Sequence, residues 1–300
     1  MRKKFINYIK NRPLLIISLA IIVIYILLAL FAPIIAPYTV EETTYADILA
    51  APSKTHLLGT DELGRDVFSR IIYGLRMSLF IGFVPSTINI ILGLIVGMIS
   101  GASNKFIDNI LMRIVDIGLS YPFMILAMAI VYNLGSGILS MVLALTIFGW
   151  ASDARIIRAQ TKQIMSLTYI DAAKASGINK FGLIFRHILP NIKHTILVLY
   201  TMGIPQSILG EAGISFLGFG AQAPFTSLGL MVSRGRTYLF DAPWLSIAPG
   251  IFILILSLSF NFLGDELSDY FGLDRKELKW FQIMKIKWSW KSKTLVLAKN

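Results

Sequence analysis

The sequence predicts an all-α polytopic membrane protein with six transmembrane helices. Three observations predict it: 55% of the 300 residues are hydrophobic, only 15% are charged, and long uncharged runs alternate with short polar stretches. A soluble domain carries roughly 25% charged residues, so this chain lacks the polar groups to cover a globular surface. Its mean hydropathy of +0.69 agrees. There is no cysteine, hence no disulfide framework, thiolate nucleophile or thiolate metal site, and His56, His187 and His194 are too scattered for a metal cage.

A crossing helix needs about 20 mostly apolar residues. Leu14 to Ala32 is the first such run, closed by Pro33 and Pro37. It exceeds the usual apolar length of about 7–15 residues in a signal peptide and has no small-x-small cleavage site after it, so a retained helix is expected. Met77 to Asn104 supplies a second span. Ile117 to Ser152 is uncharged but interrupted at Asn133, Gly135, Ser136 and Gly137, which reads as spans three and four around a tight turn, or as a re-entrant pair. The first of these is expected to start near Asn109, with Asp116 paired to Arg113 at i−3. Thr195 to Gly213 is the fifth span and Ala242 to Gly264 the sixth, with Trp244 as an interfacial anchor.

Of the 28 basic residues, 22 fall on one side of this topology: the amino end, the 101–113 loop, the 151–194 loop and the tail after Gly264. That bias predicts cytoplasmic termini in a plasma or inner membrane. The net charge of +11 is therefore an orientation signal, and no nucleic-acid partner is expected. The chain divides into a segment over 1–76 (first span and an extracytoplasmic interfacial stretch), a core over 77–264, and a basic tail over 265–300.

The 151–194 loop is the most informative stretch. Thr168 and Asp171 have the spacing of a capping box, and Gly177 is a natural left-handed residue ending a helix of about two turns. Ala172, Ala173 and Ala175 are small enough for another surface to approach closely. Asn179 is expected to cap a second helix, Lys180 to Leu189, which Pro190 terminates. Local physics allows two readings: a knob for a partner's socket, or an ordinary surface helix pair.

The motif residues resolve the choice by resemblance. Asp171-Ala172-Ala173, Gly177 and His187-Ile188-Leu189-Pro190 resemble the EAA signature of binding-protein-dependent ABC importer permeases, with Asp for Glu and His187 for the first Ile. Gly59-Thr60-Asp61-Glu62-Leu63-Gly64-Arg65-Asp66 resembles the G-T-D-x-x-G-R-D block of the C-type member in the dipeptide, oligopeptide and nickel branch. Glu211 with Ser215-Phe216-Leu217-Gly218-Phe219-Gly220, and Ala242-Pro243-Trp244, are similar to further elements of that family. The resemblance implies a type I importer permease fold in which the helix with Thr168, Tyr169, Asp171, Ala172, Ala173 and Ala175, closed by Gly177 and followed by Pro190, couples to an ATPase. It also implies a homologous B-type permease, two cytoplasmic ATPases that use ATP and Mg, and an extracytoplasmic binding protein. Peptides are the expected cargo, with nickel or metal–chelator complexes as the alternative.

Read from its own residues, the Thr60 block predicts an interfacial helix N-capped by Thr60, with an apolar stripe of Leu63, Val67, Ile71 and Leu75. Its charges either seat the binding protein or are simply solvated. No G-x-x-x-x-G-K-[ST] occurs, so the chain itself cradles no ATP. Nor is there a catalytic constellation of the kind a membrane enzyme needs, or the inverted repeats and midplane polar sites of a secondary transporter. Asp116 and Glu211 are the acids near membrane depth, and structural pairing or a gate contact is expected of them rather than a proton relay; Pro85, Pro205 and Pro249 lie inside spans, where they kink a helix beside a pathway or are merely tolerated. The tail places Lys285, Lys287, Lys291 and Lys293 among Ile286, Trp288 and Trp290, which suits an anionic leaflet or a solvated end.

Overall fold

The computed structural model describes residues 12–44, 47–147, 149–220 and 225–272. Among them the chain is built of helices, joined by turns and one isolated antiparallel bridge, Thr60 with Asp66. The tail with its lysines and tryptophans lies outside the described residues.

Helix α1 (Pro13–Leu30) starts with a proline in its first turn, where the missing N–H is harmless. α2 (Val67–Ala102) is the longest, 36 residues, or about 54 Å at 1.5 Å per residue, well beyond a hydrocarbon core of about 30 Å. α3 (Lys105–Ser120), capped by the Asn104 side chain on the Ile107 N–H, and α4 (Phe123–Leu134) follow. Then come α5 (Ile138–Thr146), α6 (Trp150–Met165), α7 (Thr168–Ala175) and α8 (Lys180–Leu183). A π-turn, Ile184–Ile188, leads into α9 (Leu189–Ile214), and a second, Ser215–Phe219, leaves it. α10 (Leu228–Gly235) and α11 (Trp244–Phe271) complete the chain.

By length and apolarity, four stretches can cross a membrane: α1, α2, α5 with α6, and α11; α3 and α4 make a fifth if their pair is one span. The fold class is as expected, but six separate rods are not seen. Thr195 to Gly213 falls inside α9, whose Pro205, Gln206, Ser207 and Glu211 dilute its apolarity. The supposed third span is bent by 86° between α3 and α4. Pro122 has no N–H to continue the ladder, and Tyr121 before it is pushed extended (φ −93°, ψ 140°). The turn at Gly135 is where the sequence put it, with φ +84°.

Two boundaries move. The second span begins at Val67, not Met77, and so crosses the expected 76/77 division. Part of the 151–194 loop is wall rather than loop, because α6 continues to Met165 and packs along α2. The seam between them rests on Gly93, Gly97 and Gly101, one per turn. A Cβ at Gly93 would sit 2.7 Å from Asp153 Cβ, at Gly97 2.7 Å from the Ala154 carbonyl oxygen, and at Gly101 2.6 Å from Thr161 Cβ. Small-xxx-small spacing lets backbones approach where no aqueous hydrophobic drive brings helices together.

Polar ties fix the two ends of the bundle. Arg76 caps the end of α1, its guanidinium donating to the carbonyls of Ala29 at 2.6 Å and Leu30 at 3.0 Å. At the other end Arg12 lies 3.4 Å from both Glu266 and Asp269 of α11. There too the buried Asp108 of α3 accepts from Ser100 Oγ at 2.5 Å, from Arg158 Nη2 at 2.7 Å and from Lys162 Nζ at 2.5 Å. Asp116 pairs with Arg155 of α6 at 2.7 Å rather than with Arg113 on its own helix. The turn at Ser103 and Asn104 folds α3 back beside the α2–α6 seam, and a cross-helix partner on α6 replaces the local one.

The seam makes a prediction. Gly97→Val drives a side chain into the Ala154 backbone, which cannot yield, and is expected to cost about 1–3 kcal/mol. In detergent it should lower the temperature at which the monodisperse peak is lost in fluorescence-detected size exclusion. Gly203→Ala, whose Cβ would meet Ser86 Oγ at an ordinary 3.5 Å, should leave that temperature unchanged.

Candidate functional site

Three regions carry the residues singled out by sequence. The first is the turn after α6. Leu167, not Thr168, is the N-cap of α7, and no side chain caps it, so the capping box does not form. Asp171 turns outward and pairs with Lys174 Nζ at 2.9 Å; an Asp side chain is one methylene shorter than the Glu that reaches back in a capping box. The C-terminal end is as read. Gly177 has φ +80°, its N–H bonds the Lys174 carbonyl at 3.0 Å, and the Ile178 N–H bonds the Ala173 carbonyl at 3.2 Å, a Schellman closure. A Cβ at Gly177 would meet nothing within 4 Å, so the requirement for glycine is conformational rather than steric.

Helix α7 is held from beneath and open above. Ile170 and Ala173 pack into a core with Ile157, Ile164, Leu183, Ile188 and Ile192. Tyr169 is clamped at one edge, its hydroxyl accepting from Asn191 Nδ2 at 3.3 Å, with its ring 6.1 Å from that of His187. Thr168, Asp171, Ala172 and Ala175 face outward. Asn179 caps α8 by accepting the Gly182 N–H at 2.8 Å, as expected. Pro190 does not end the helical path, however. The π-turn over Ile184–Ile188 widens the ladder where the proline ring would strike the carbonyl four residues back, and the chain continues into α9 with Pro190 in its first turn.

The second region is a cap over the opposite end, residues 37–44 and 47–66. No interfacial helix forms there. Thr60 is buried, donates to the Asp47 carbonyl and accepts the Ala50 N–H at 2.8 Å. Asp61 gathers a turn: Oδ1 accepts the N–H groups of Leu63 (2.9 Å) and Arg65 (3.0 Å), while Oδ2 lies 2.7 Å from Arg65 Nε and 3.4 Å from Arg70 Nε. Such local carboxylate bonds compete with helix formation. Asp66 is the true N-cap of α2, accepting the Ser69 N–H at 2.7 Å, and its other oxygen lies 3.0 Å from His56 Nδ1. Gly59 and Gly64 have φ of +75° and +70°. A Cβ at Gly59 would strike Trp244 Nε1 at 2.6 Å, and that indole donates to the Thr60 carbonyl at 3.3 Å. The fold thus brings Ala242-Pro243-Trp244 onto the Gly59–Asp66 block, and Trp244 anchors the cap. Val67, Ile71 and Leu75 line the core as read, while Leu63 stays 45% exposed outside the helix.

Glu211 belongs to this end and is 1% exposed. Its Oε1 accepts from Ser215 Oγ at 2.6 Å and from Ser227 Oγ at 2.7 Å. Ser227 in turn caps α10 through the Leu230 N–H. Glu211 thereby fastens α10 to α9.

The third region was not read from sequence. A cavity of about 880 Å³ opens between α2, α3 with α4, α5 with α6, α9 and α11. Its walls are largely apolar, with polar groups at Ser86, Asn89, Asp153, Gln206, Ser207 and Asn261. Pro205 lines it; Glu211 and Pro85 do not. Pro85 lies next to Ser86, whose hydroxyl donates to the Gly82 carbonyl at 2.7 Å and lies 3.0 Å from Ser207 Oγ. The two prolines therefore flank one α2–α9 contact at the cavity wall. The glycines at every fourth position of α2 were the legible signal for the α2–α6 seam beside it.

Comparison with known proteins fits this geometry. Residues 93–271 match the family described as binding-protein-dependent transport system inner membrane component, and residues 2–52 match the N-terminal TM domain of oligopeptide transport permease C. The chain is 40% identical to the dipeptide transport system permease protein DppC of Alkalihalophilus pseudofirmus, over 89% of its own length and 88% of that protein's. It is 39% identical to the oligopeptide transport system permease protein OppC of Bacillus subtilis, over 89% and 87%. It is 38% identical to the glutathione transport system permease protein GsiD of Pectobacterium atrosepticum, over 85% and 84%. The fold resembles a chain of the MetNI methionine ABC transporter in an inward-facing conformation, with a TM-score of 0.55 at 19% identity over 68% of this chain and 96% of that one. From the family matches, the relatives and the fold together, the chain belongs to the binding-protein-dependent transport inner membrane components, as a non-catalytic C-type permease of the dipeptide and oligopeptide branch with the type I ABC importer fold.

Proposed function

We propose that this chain forms half of the translocation pathway of an ATP-driven peptide importer and is driven through α7. The observation that carries the reading is the geometry of α7, a two-turn helix gripped from beneath by Ile170 and Ala173, closed by Gly177, and presenting Asp171, Ala172 and Ala175 outward. In this reading α7 docks into a cleft of a cytoplasmic ATPase. Two such ATPases use ATP and Mg, and a homologous B-type permease supplies the other half of the path. The 22-to-6 distribution of basic residues supports placing α7 and both termini in the cytoplasm.

Force applied to α7 has two rigid outlets. One is α6, joined through Ser166 and Leu167 and packed on α2; the other is α9, reached through Asn179 and the π-turn. Closure of the ATPases would rock these elements as units and switch the cavity from inward to outward access. At the far end, the cap over Gly59, Thr60, Asp61, Gly64, Arg65 and Asp66 would seat an extracytoplasmic binding protein. Peptide cargo is supported by the relatives, which are named as dipeptide, oligopeptide and glutathione permeases.

Two outcomes test the reading. Gly177→Val fits the open space but strains the left-handed turn by about 1–3 kcal/mol. It should therefore leave the protein in the membrane while uptake by the reconstituted importer falls about tenfold relative to ATP hydrolysed; normal uptake at confirmed expression would sink the α7 assignment. Asp61→Ala strips the buried Arg70 and the half-buried Arg65 of their shared partner, at a cost of about 3–5 kcal/mol. The cap should then become cleavable by protease from the outer face, and stimulation of ATPase by loaded binding protein should be lost; both unchanged would remove the cap from the mechanism.

A further inference from the structure

The cavity holds one charge that nothing balances. Among the residues lining it, Asp153 alone carries a formal charge; no lysine, arginine, histidine or glutamate joins it. The cations nearest to it along α6 are all engaged on the other side of the helix. Arg155 is paired with Asp116, and Arg158 and Lys162 with Asp108. Among the described residues Asp153 makes no hydrogen bond or ion pair.

A second acceptor stands one turn away. Asp153 Cβ lies over Gly93 of α2, and Asn89, one turn earlier, lies against Gly149, one turn before Asp153. Asn89 is 9% exposed. Its amide donates to the Leu145 carbonyl at 3.3 Å, which leaves Oδ1 without a donor. A buried acceptor without a partner is costly and calls for an explanation. Here the unpaired carboxylate of Asp153 and the side chain of Asn89 line the same space, of a size that encloses small-molecule ligands (about 300–1,000 Å³).

We infer that Asp153, with Asn89, forms a cation-selective subsite in the pathway that receives an ammonium group of the passing peptide. An ammonium brings three N–H donors and no acceptor, which matches what these two side chains lack. A carboxylate entering the same space meets like charge with no basic residue to offset it. The site is a waypoint rather than a trap, since one charge and one amide hold a cation loosely enough for it to leave. The inference rests on the cavity being the translocation pathway.

The test uses the complete importer in proteoliposomes, with uptake of dilysine and of diglutamate each normalised to the unsubstituted complex. Asp153→Asn, which keeps the shape packed on Gly93, should lower the dilysine-to-diglutamate uptake ratio about tenfold. Asp153→Glu should restore the ratio, and ATPase stimulation by loaded binding protein should not change. A ratio unaltered in Asp153→Asn overturns the subsite. Loss of Ni²⁺ uptake with both dipeptides unaffected assigns the carboxylate to a metal ion and also overturns it. The pathway reading is tested separately. This chain has no cysteine, so Gln206→Cys, at an exposed position on the cavity wall and in a complex whose other subunits also lack cysteine, gives a single accessible thiol in the cavity. Transport that survives a bulky thiol reagent there removes the pathway itself. Transport that is blocked, beside an unaltered ratio, removes only the subsite.

Discussion

The close approach of α2 and α6 is the constraint on which the rest of the structure depends. Lipid supplies no hydrophobic force between helices, so their association rests on contact between surfaces. Gly93, Gly97 and Gly101 clear a strip on α2 in which the α6 backbone lies. Setting α6 there decides three things at once. Its cations meet the α3 carboxylates, its first turn edges the cavity, and its end delivers the chain to α7. A side chain on that strip would move all three together.

Charged groups at the two ends follow one rule with different results. Three buried carboxylates each gather several donors: Asp61 two backbone N–H groups and two arginines, Asp108 a serine, an arginine and a lysine, and Glu211 two serines, both on Oε1. Such networks are costly when half-made and fix geometry when complete. They hold the cap on α2, the bend of α3 on α6 and α10 on α9, leaving the middle of the bundle to apolar packing and the cavity.

Apolar runs, turn residues and the Gly177 closure were legible in the sequence because each depends on neighbours within a few positions. The core stripe Val67, Ile71 and Leu75, the φ-positive Gly135 and the Asn179 cap are of this kind. What was not legible depends on partners distant in sequence. Asp116 has a plausible local partner in Arg113, but the packing of α3 on α6 gives it Arg155 instead. Thr60 has the form of an N-cap, yet its hydroxyl is committed to Asp47 and Ala50, so Asp66 takes that role. The cavity lining comes from seven helices, and no single stretch of sequence could announce it. The glycines of α2 were visible at their fourfold spacing, but their partner was not.

The π-turn over Ile184–Ile188 carries one residue more than an α-helical path would need. A π-turn takes up its surplus residue within one widened turn, so the helical paths on either side keep nearly the phase of an unbroken helix. Deleting one residue there would let ordinary bonding close the gap with α8 and α9 almost where they are, but it would bring the Pro190 ring against the carbonyl four residues before it. The surplus residue is therefore what lets a proline sit in a continuous rod, and a length change of one there would turn a straight connection between α7 and α9 into a kinked one.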